Sequence, residues 1–333
     1  MIEWEITKLE LPLKFSWKIS RGSADHKTNF YIKVRDGKFE GIGEVAFNSR
    51  YGEDEQGILH HFGQFTQIWQ ESWCTAKELD RALSEFDEFP LSLRAGIECA
   101  LLDLESKLTE RNLSQILGTP PFRGGHTSFS LPILEAGEIE EFFNKYQLAR
   151  FSVLKLKVDS HNLFDNVTAL SRIYNGPIRI DANEDFKDPD SVLQVSKKLQ
   201  GLNIQLLEQP MPAGFHDEYL YLKKHSPFEL FADESLTNEN ITEYFTQRFH
   251  GINVKIMKCG GPLKALAHIR QAKRLGLKVM IGCMVESSVG ISYGLHLSTL
   301  ADYLDLDGHL FLQNDPSKVV SEDSGRLFLS DLH

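Results

Sequence analysis

From its amino terminus the chain alternates apolar and polar residues, first in "MIEWEITKLELPL", then in "NFYIKVRDG" and "GIGEVAF" on either side of Asp36-Gly37. A period of two predicts half-buried strands up to about Phe47, arranged as an antiparallel meander. The intervening "SWKISRGSADHK" is polar and too long for a tight hairpin, so it is predicted to be a loop that closes over a site. Over residues 55–117 the period becomes helical. "SLRAGIECALLDLESKL" sets Leu93, Ile97, Ala100, Leu101 and Leu104 on one face, as an amphipathic helix requires. Gly118, Pro120 and Pro121 then break the pattern. Residues 1–120 are therefore expected to form an α+β capping domain.

Past that boundary short apolar runs alternate with helical stretches. The runs are "SFSLPI", "SVLKLKV", "IRIDAN", "IQLLEQP", "LFADES", "INVKIMK", "KVMIGCM" and "YLDLDG". Strands and helices in strict alternation predict a closed parallel barrel of the α/β class over residues 121–310. An open doubly wound sheet is the other solution, but it lacks a glycine-rich GxGxxG turn here. The tail, residues 311–333, is short and irregular and is free to return to the first domain.

Bulk composition narrows the partners. The chain has 333 residues with 41% hydrophobic and 25% charged, which suits a folded protein with more than one core. A net charge of −11 without a basic cluster argues against nucleic acid. Cys74, Cys99, Cys259 and Cys283 are scattered and suggest thiols of a reducing compartment. The amino terminus lacks the features of a signal peptide and no apolar run spans a membrane, so the expected location is cytoplasmic. Oligomeric state is not legible, although association of identical chains is possible. His60 and His61 lack the acids of a zinc site and read as surface helix. Gly260-Gly261-Pro262 fits either a phosphate cradle or a plain strand-to-helix turn.

The chemistry lies where apolar runs end. "IRIDAN" carries Asp181, "QLLEQP" carries Glu208 and "FADES" carries Asp233 and Glu234. They recur at intervals of about 25 residues, the length of one strand-helix unit. Strand-end carboxylates converging in a barrel mouth repel one another, and a hard divalent cation relieves that; all-oxygen ligation favours Mg2+. Lys155 and Lys157, two apart, share the inward face of the second barrel strand. Two adjacent amines lower each other's pKa and make a better base. The sixth strand, across the barrel, offers Lys255 and Lys258, which a regular strand puts on opposite faces. Only one is then expected to point inward, and Lys255 is preferred. Lysines on both faces of one carbon can remove a proton from one side and return it on the other, with a metal stabilising the enolate between.

Together "KLK", "DAN", "LLEQP", "ADES" and "NVKIMKCGG" resemble the enolase superfamily, in particular its muconate-lactonizing-enzyme subgroup. The resemblance implies a (β/α)7β barrel under an amino-terminal cap and a Mg2+ held by Asp181, Glu208 and Asp233. It implies Lys157 and Lys255 as the acid/base pair, Lys155 as the helper that lowers the pKa of Lys157, and Asn183 and Glu234 behind the ligands. The cap is expected to close over the substrate's distal end through the loop around Arg21 and the region near Tyr51.

The eighth strand narrows the reaction. Asp305 and Asp307 in "YLDLDG" share a face at the barrel mouth and suit a substrate ammonium. This resembles the Asp-x-Asp feature of dipeptide epimerases, and "IGCMVESSVG" resembles their seventh strand. Cys283, Met284 and Glu286 thereby join Arg21 and Ser130 as candidate substrate contacts. The expectation is an isomerase that inverts the α-carbon of a dipeptide's C-terminal residue. Alternatives on the same scaffold are a lyase or cycloisomerase of the o-succinylbenzoate synthase or muconate cycloisomerase kind. An aldolase-like Schiff base on a lysine is a third.

Overall fold

In the computed structural model residues 2–68, 75–83, 86 and 88–330 are described. Cys74 and the last three residues of the tail lie outside them.

Strands β1 (Glu3–Ile19), β2 (Gly22–Asp36) and β3 (Phe39–Val45) form an antiparallel sheet in the order β1-β2-β3. Helices α1 (Glu55–Ile68) and α2 (Leu91–Thr109) follow. One expectation fails here. The "SWKISRGSADHK" segment is no free loop: Trp17, Lys18 and Ile19 pair with Ala24, Ser23 and Gly22, so Arg21 sits in a tight turn at the tip of a long hairpin. A register shift between Pro12 and Trp17 bends the ribbon. The outer arm is exposed on both faces, so its pairing leaves no hydrophobic alternation to read.

The sheet and α2 pack without a gap. A Cβ on Gly41 or Gly43 would lie 2.1 Å from the carbonyl oxygen of Ala100 or Gly96, so the backbones meet where only glycine fits.

The second unit is the barrel. Strands β4 (Phe129–Leu131), β5 (Leu154–Lys157), β6 (Ile178–Asp181), β7 (Ile204–Glu208), β8 (Leu230–Ala232), β9 (Gly251–Lys255), β10 (Lys278–Gly282) and β11 (Tyr303–Asp305) pair in sequential order. Every pairing is parallel. Among the intervening helices are α3 (Ile139–Lys145), α4 (Leu163–Ile173), α5 (Pro189–Lys198), α6 (His216–His225), α7 (Glu243–Arg248), α8 (Pro262–Arg274) and α9 (Ser288–Ser298). The seam between first and last strands is tied by the Ser128 N–H to the Leu304 carbonyl at 3.2 Å, and by the Leu306 N–H to Thr127 Oγ1 at 2.8 Å. This is the (β/α)7β barrel with an amino-terminal α+β domain. Leu154, Leu156, Ile252, Val254, Val279 and Ile281 are buried against the helices. Inside, Leu206, Phe231 and Met280 pack with Tyr303 as a floor.

The tail touches both units. Gln313 N–H bonds the Pro12 carbonyl at 2.9 Å, after which β12 (Val320–Asp323) and β13 (Arg326–Leu329) pair with each other and with Gly125–His126. Among the described residues no helix is long and apolar enough to cross a membrane.

Two buried carboxylates clamp the units. Glu98 on α2 accepts from the Leu263 N–H at 2.7 Å, at the start of α8. The Gly260-Gly261-Pro262 turn is thus already capped by a protein carboxylate, which removes the phosphate-cradle alternative. Glu44 on β3 accepts from the Ser287 N–H and Oγ and the Gly290 N–H at the start of α9, and from Asn29 Nδ2 at 2.8 Å. Both anions face the positive end of a helix. Replacing Glu44 by alanine strands these donors in the interior, with an expected loss of about 3 kcal/mol of stability. Thermal unfolding of E44A beside the wild type checks this, and an unchanged midpoint contradicts it.

Candidate active site

The mouth of the barrel is built by register. Lys157 pairs with Asp181 and Asp181 with Glu208, so the three stand level on adjacent inward faces. Glu208 reaches that level through an irregularity: Ile178 pairs with Ile204 but Arg179 with Leu206. Without the skipped residue Leu207 would face Asp181. Asp233 follows directly on β8, and the carboxylates of Asp181, Glu208 and Asp233 offer oxygens within 4.8 Å of one another.

All three acids are buried, and their neighbours set their charge. Burial opposes ionisation of Asp181, but Lys155 and Lys157 outweigh it and hold its pKa well below the usual range. Asp233 is likewise held low against burial by Lys255 and Lys258. Glu208 goes the other way: burial, reinforced by Asp181, pushes it up to about 8.

The lysines fill the space between the acids. Lys155 Nζ lies 2.9 Å from Asp181, 2.7 Å from Glu208 and 2.8 Å from Asp305. Burial disfavours that ammonium, yet Asp181, Asp305 and Glu208 together raise its pKa. Lys157 Nζ lies 2.6 Å from Asp181 and Lys255 Nζ 2.9 Å from Asp233. Burial lowers and Asp233 more than restores the pKa of Lys255, which ends above its ordinary value. Lys157 and Lys255 stand on β5 and β9, half-way round the barrel from each other.

Lys258 departs from expectation. β9 stops at Lys255 and the chain turns into a short helix, Ile256–Cys259. The alternation of a strand therefore no longer applies, and Lys258 also points at Asp233, 2.6 Å from Oδ1. Both lysines reach Asp233, from different elements.

A cavity of about 170 Å³ opens above these groups, lined from the barrel by Ser130, Lys155, Lys157, Asn183, Asp233, Glu234, Lys255, Asp305 and Asp307. Cys283, Met284 and Val285 add the wall after β10. The amino-terminal domain contributes Trp17, Ile19, Arg21, Lys27, Asn48 and Tyr51. Arg21 is held on this rim by Glu234 at 2.9 Å and by the Asn183 carbonyl at 3.0 Å.

Glu286 does not face this cavity. Its carboxylate turns back to the Met284 N–H at 2.7 Å, and burial with Glu44 nearby pushes it up to about 8. It shapes the wall that Met284 and Val285 present.

Asp305 and Asp307 both line the cavity but differ in surroundings. Asp305 ends β11 and is tied to Lys155 and to Ser128 Oγ at 2.6 Å. Asp307 lies in the following turn, accepts from the Ser130 N–H at 2.6 Å, and is pushed up to about 7 by burial and Asp305.

Asn183, Glu184 and Gln209 adopt positive φ (42°, 68° and 35°) right after the strands that carry Asp181 and Glu208. Such strain on non-glycine residues is held only by a surrounding network. Asn183 donates to Glu234 and to Asp181 through its side chain and backbone. Gln209 Oε1 accepts from the N–H groups of Asp233 and Ser235. Asn253, two before Lys255, donates to Glu208 at 2.8 Å. Sequence reasoning missed Gln209, Asn253 and Lys27; the inward alternation of β9 was the signal for Asn253.

The donor set fits a hard cation. Three buried carboxylates converge, all ligand atoms are oxygen, and the Asn183 Oδ1 and Glu234 Oε2 beside them are buried without a hydrogen-bond partner.

A parallel barrel thus brings acids from its third to fifth strands and lysines from its second and sixth together around one cavity. Residues 138–323 match the family model described as enolase C-terminal domain-like. The chain is 35% identical to an L-Ala-D/L-amino acid epimerase of Pedosphaera parvula over 88% of this chain and 84% of that protein. It is 28% identical to an L-Ala-D/L-Glu epimerase of Bacteroides thetaiotaomicron over 97% and 84% respectively. Among solved structures, an enolase family member from Agrobacterium tumefaciens with homology to dipeptide epimerases superposes with a TM-score of 0.89 at 26% identity. That match covers 100% of this chain and 99% of the other. The chain belongs to the enolase superfamily. Its relatives include epimerases and a racemase, and its class is accordingly isomerase.

Proposed function

We propose that the protein is a Mg2+-dependent dipeptide epimerase that inverts the α-carbon of the C-terminal residue. The observation that carries this reading is the pair of amines on opposed strands, Lys157 at Asp181 and Lys255 at Asp233, flanking one cluster of acids. The relatives' names, epimerases of L-Ala dipeptides, support it.

Asp181, Glu208 and Asp233 would hold the Mg2+, with Asn183 and Glu234 fixing the carboxylates from behind. When bound, the ion supplies positive charge that acidifies the proton next to a carboxylate. Lys157 and Lys255 do the proton work: the Nζ that is a free amine takes the α-proton from one face, and the other, an ammonium, gives its proton to the opposite face. Asp233 keeps Lys255 protonated, and that contact would weaken where Asp233 was drawn to a cation. Lys155, locked among Asp181, Glu208 and Asp305, keeps a fixed positive charge beside the developing anion. Asp307 receives the substrate ammonium, with Asp305 behind it. The cap excludes water through the Arg21 turn and Tyr51.

Incubation with Mg2+ and mixed dipeptides in D2O is expected to place deuterium on the α-carbon of the C-terminal residue. No exchange with any dipeptide sinks the reading. A cycloisomerase or lyase substrate carries no ammonium, and the Asp pair separates the two. Asp307→Asn is expected to raise KM for a dipeptide by about tenfold or more, as loss of a buried charge-assisted bond does; it would barely affect a substrate without an amine.

A further inference from the structure

We propose that Lys27 is the specificity residue of this site and receives the carboxylate of an acidic side chain on the dipeptide; the assignment rests on the epimerase reading above.

The cations that line the cavity are Arg21, Lys27, Lys155, Lys157 and Lys255. All but one are already committed to carboxylates. Arg21 holds Glu234 and Glu184, Lys155 holds three acids, Lys157 holds Asp181 and Lys255 holds Asp233. Lys27 differs. Its Nζ donates to the Phe47 carbonyl at 2.6 Å and stands 4.9 Å from the centre of the Phe47 ring. Among the described residues no carboxylate lies within ion-pair distance of it. Glu53, the acid that acts on it from further off, is taken by the backbone N–H groups of Asn48 at 3.2 Å and Ser92 at 2.9 Å.

An ammonium has three donors; the Phe47 carbonyl takes one and the Phe47 ring covers another side, which leaves donor capacity for a ligand in the cavity that Lys27 lines. Desolvation lowers the pKa of Lys27 and Glu53 only partly offsets it. A cation kept this dry gains more from an incoming anion than an exposed one does. Lys27 belongs to β2, in the roof, whereas the acids that would hold the reacting carboxylate are in the barrel. Its neighbour in the cavity wall, Asn48, reaches across to Met284 Sδ at 3.9 Å, so the roof is continuous with the wall after β10. A dipeptide anchored below by its reacting carboxylate presents a side chain to that roof. A neutral amide offers Lys27 one uncharged acceptor, whereas a carboxylate offers two oxygens and the charge that balances the ammonium.

The test compares L-Ala-L-Glu with L-Ala-L-Gln, and L-Glu-L-Ala with L-Gln-L-Ala, so that shape is kept and only charge changes. The wild type is expected to favour the acidic member of at least one pair, and that pair identifies the position whose side chain meets Lys27. In Lys27→Met, kcat/KM for the acidic member is expected to fall about tenfold or more, chiefly through KM, while its amide partner stays within about twofold. Lys27→Arg keeps the acidic preference, and Lys27→Glu transfers it to a lysine-containing dipeptide. A purely structural lysine, pinning Phe47, would cost both members of a pair equally; that result overturns the assignment and leaves the epimerase reading intact. A wild type with no acidic preference also overturns it. A wild type inert towards every dipeptide instead overturns the epimerase reading, and the assignment with it.

Discussion

Replacing Lys157 or Lys255 by alanine is expected to abolish epimerisation, with a fall of about 10³-fold, the scale of a lost general acid or base. The two variants are expected to fail in complementary ways. With one amine missing, the α-proton of one epimer is still removed by the survivor and exchanges with D2O, while the other epimer is inert. The pattern reverses in the other variant. NMR of each stereoisomer incubated separately in D2O reads this directly. Loss of exchange from both isomers in both variants would mean that the amines do not work from opposite faces. Neither substitution leaves its carboxylate without a cation, because Asp181 keeps Lys155 and Asp233 keeps Lys258. The variants are therefore expected to fold, with circular dichroism as the control.

The second large effect concerns the cation. Removing divalent metal with EDTA is expected to bring activity to background and Mg2+ to restore it. Saturating Mg2+ should also raise the unfolding temperature; at a hundredfold excess over Kd, linkage gives about 2.7 kcal/mol. Glu208→Gln separates this from general stability. In the metal-free protein Glu208 is buried beside Asp181, and its pKa of about 8 shows that its charge is costly there. The neutral amide keeps an acceptor for Asn253 but turns its NH2 toward Lys155, which retains Asp181 and Asp305, so metal-free stability is expected to change little. The gain on adding Mg2+ is expected to vanish. Calorimetric titration with Mg2+ and melting curves with and without it check both halves, and undiminished Mg2+ binding by Glu208→Gln removes Glu208 from the ligand set.

Much of the fold was legible in one dimension. Eight apolar runs at regular spacing give a parallel barrel because each strand must be followed by a helix that returns the chain to the same end. The acids at the ends of three runs, and the lysines two apart on "KLK", were visible because a strand's period of two fixes which side chains share a face. The hairpin carrying Arg21 was not visible, since its returning arm, residues 22–26, is exposed on both faces.

What the chain determined alone is therefore the barrel, the strand end at which each polar residue stands, and the kind of side chain delivered there. The tertiary structure decided the rest. A one-residue skip in β7 brought Glu208, not Leu207, opposite Asp181. The end of β9 at Lys255 let Lys258 turn onto Asp233, and Glu286 folded away from the cavity. It also decided which cations are spoken for, leaving Lys27 without a carboxylate among the described residues. Register, strand ends and charge pairing depend on neighbours far away in the chain, and a periodicity along one segment carries no record of them.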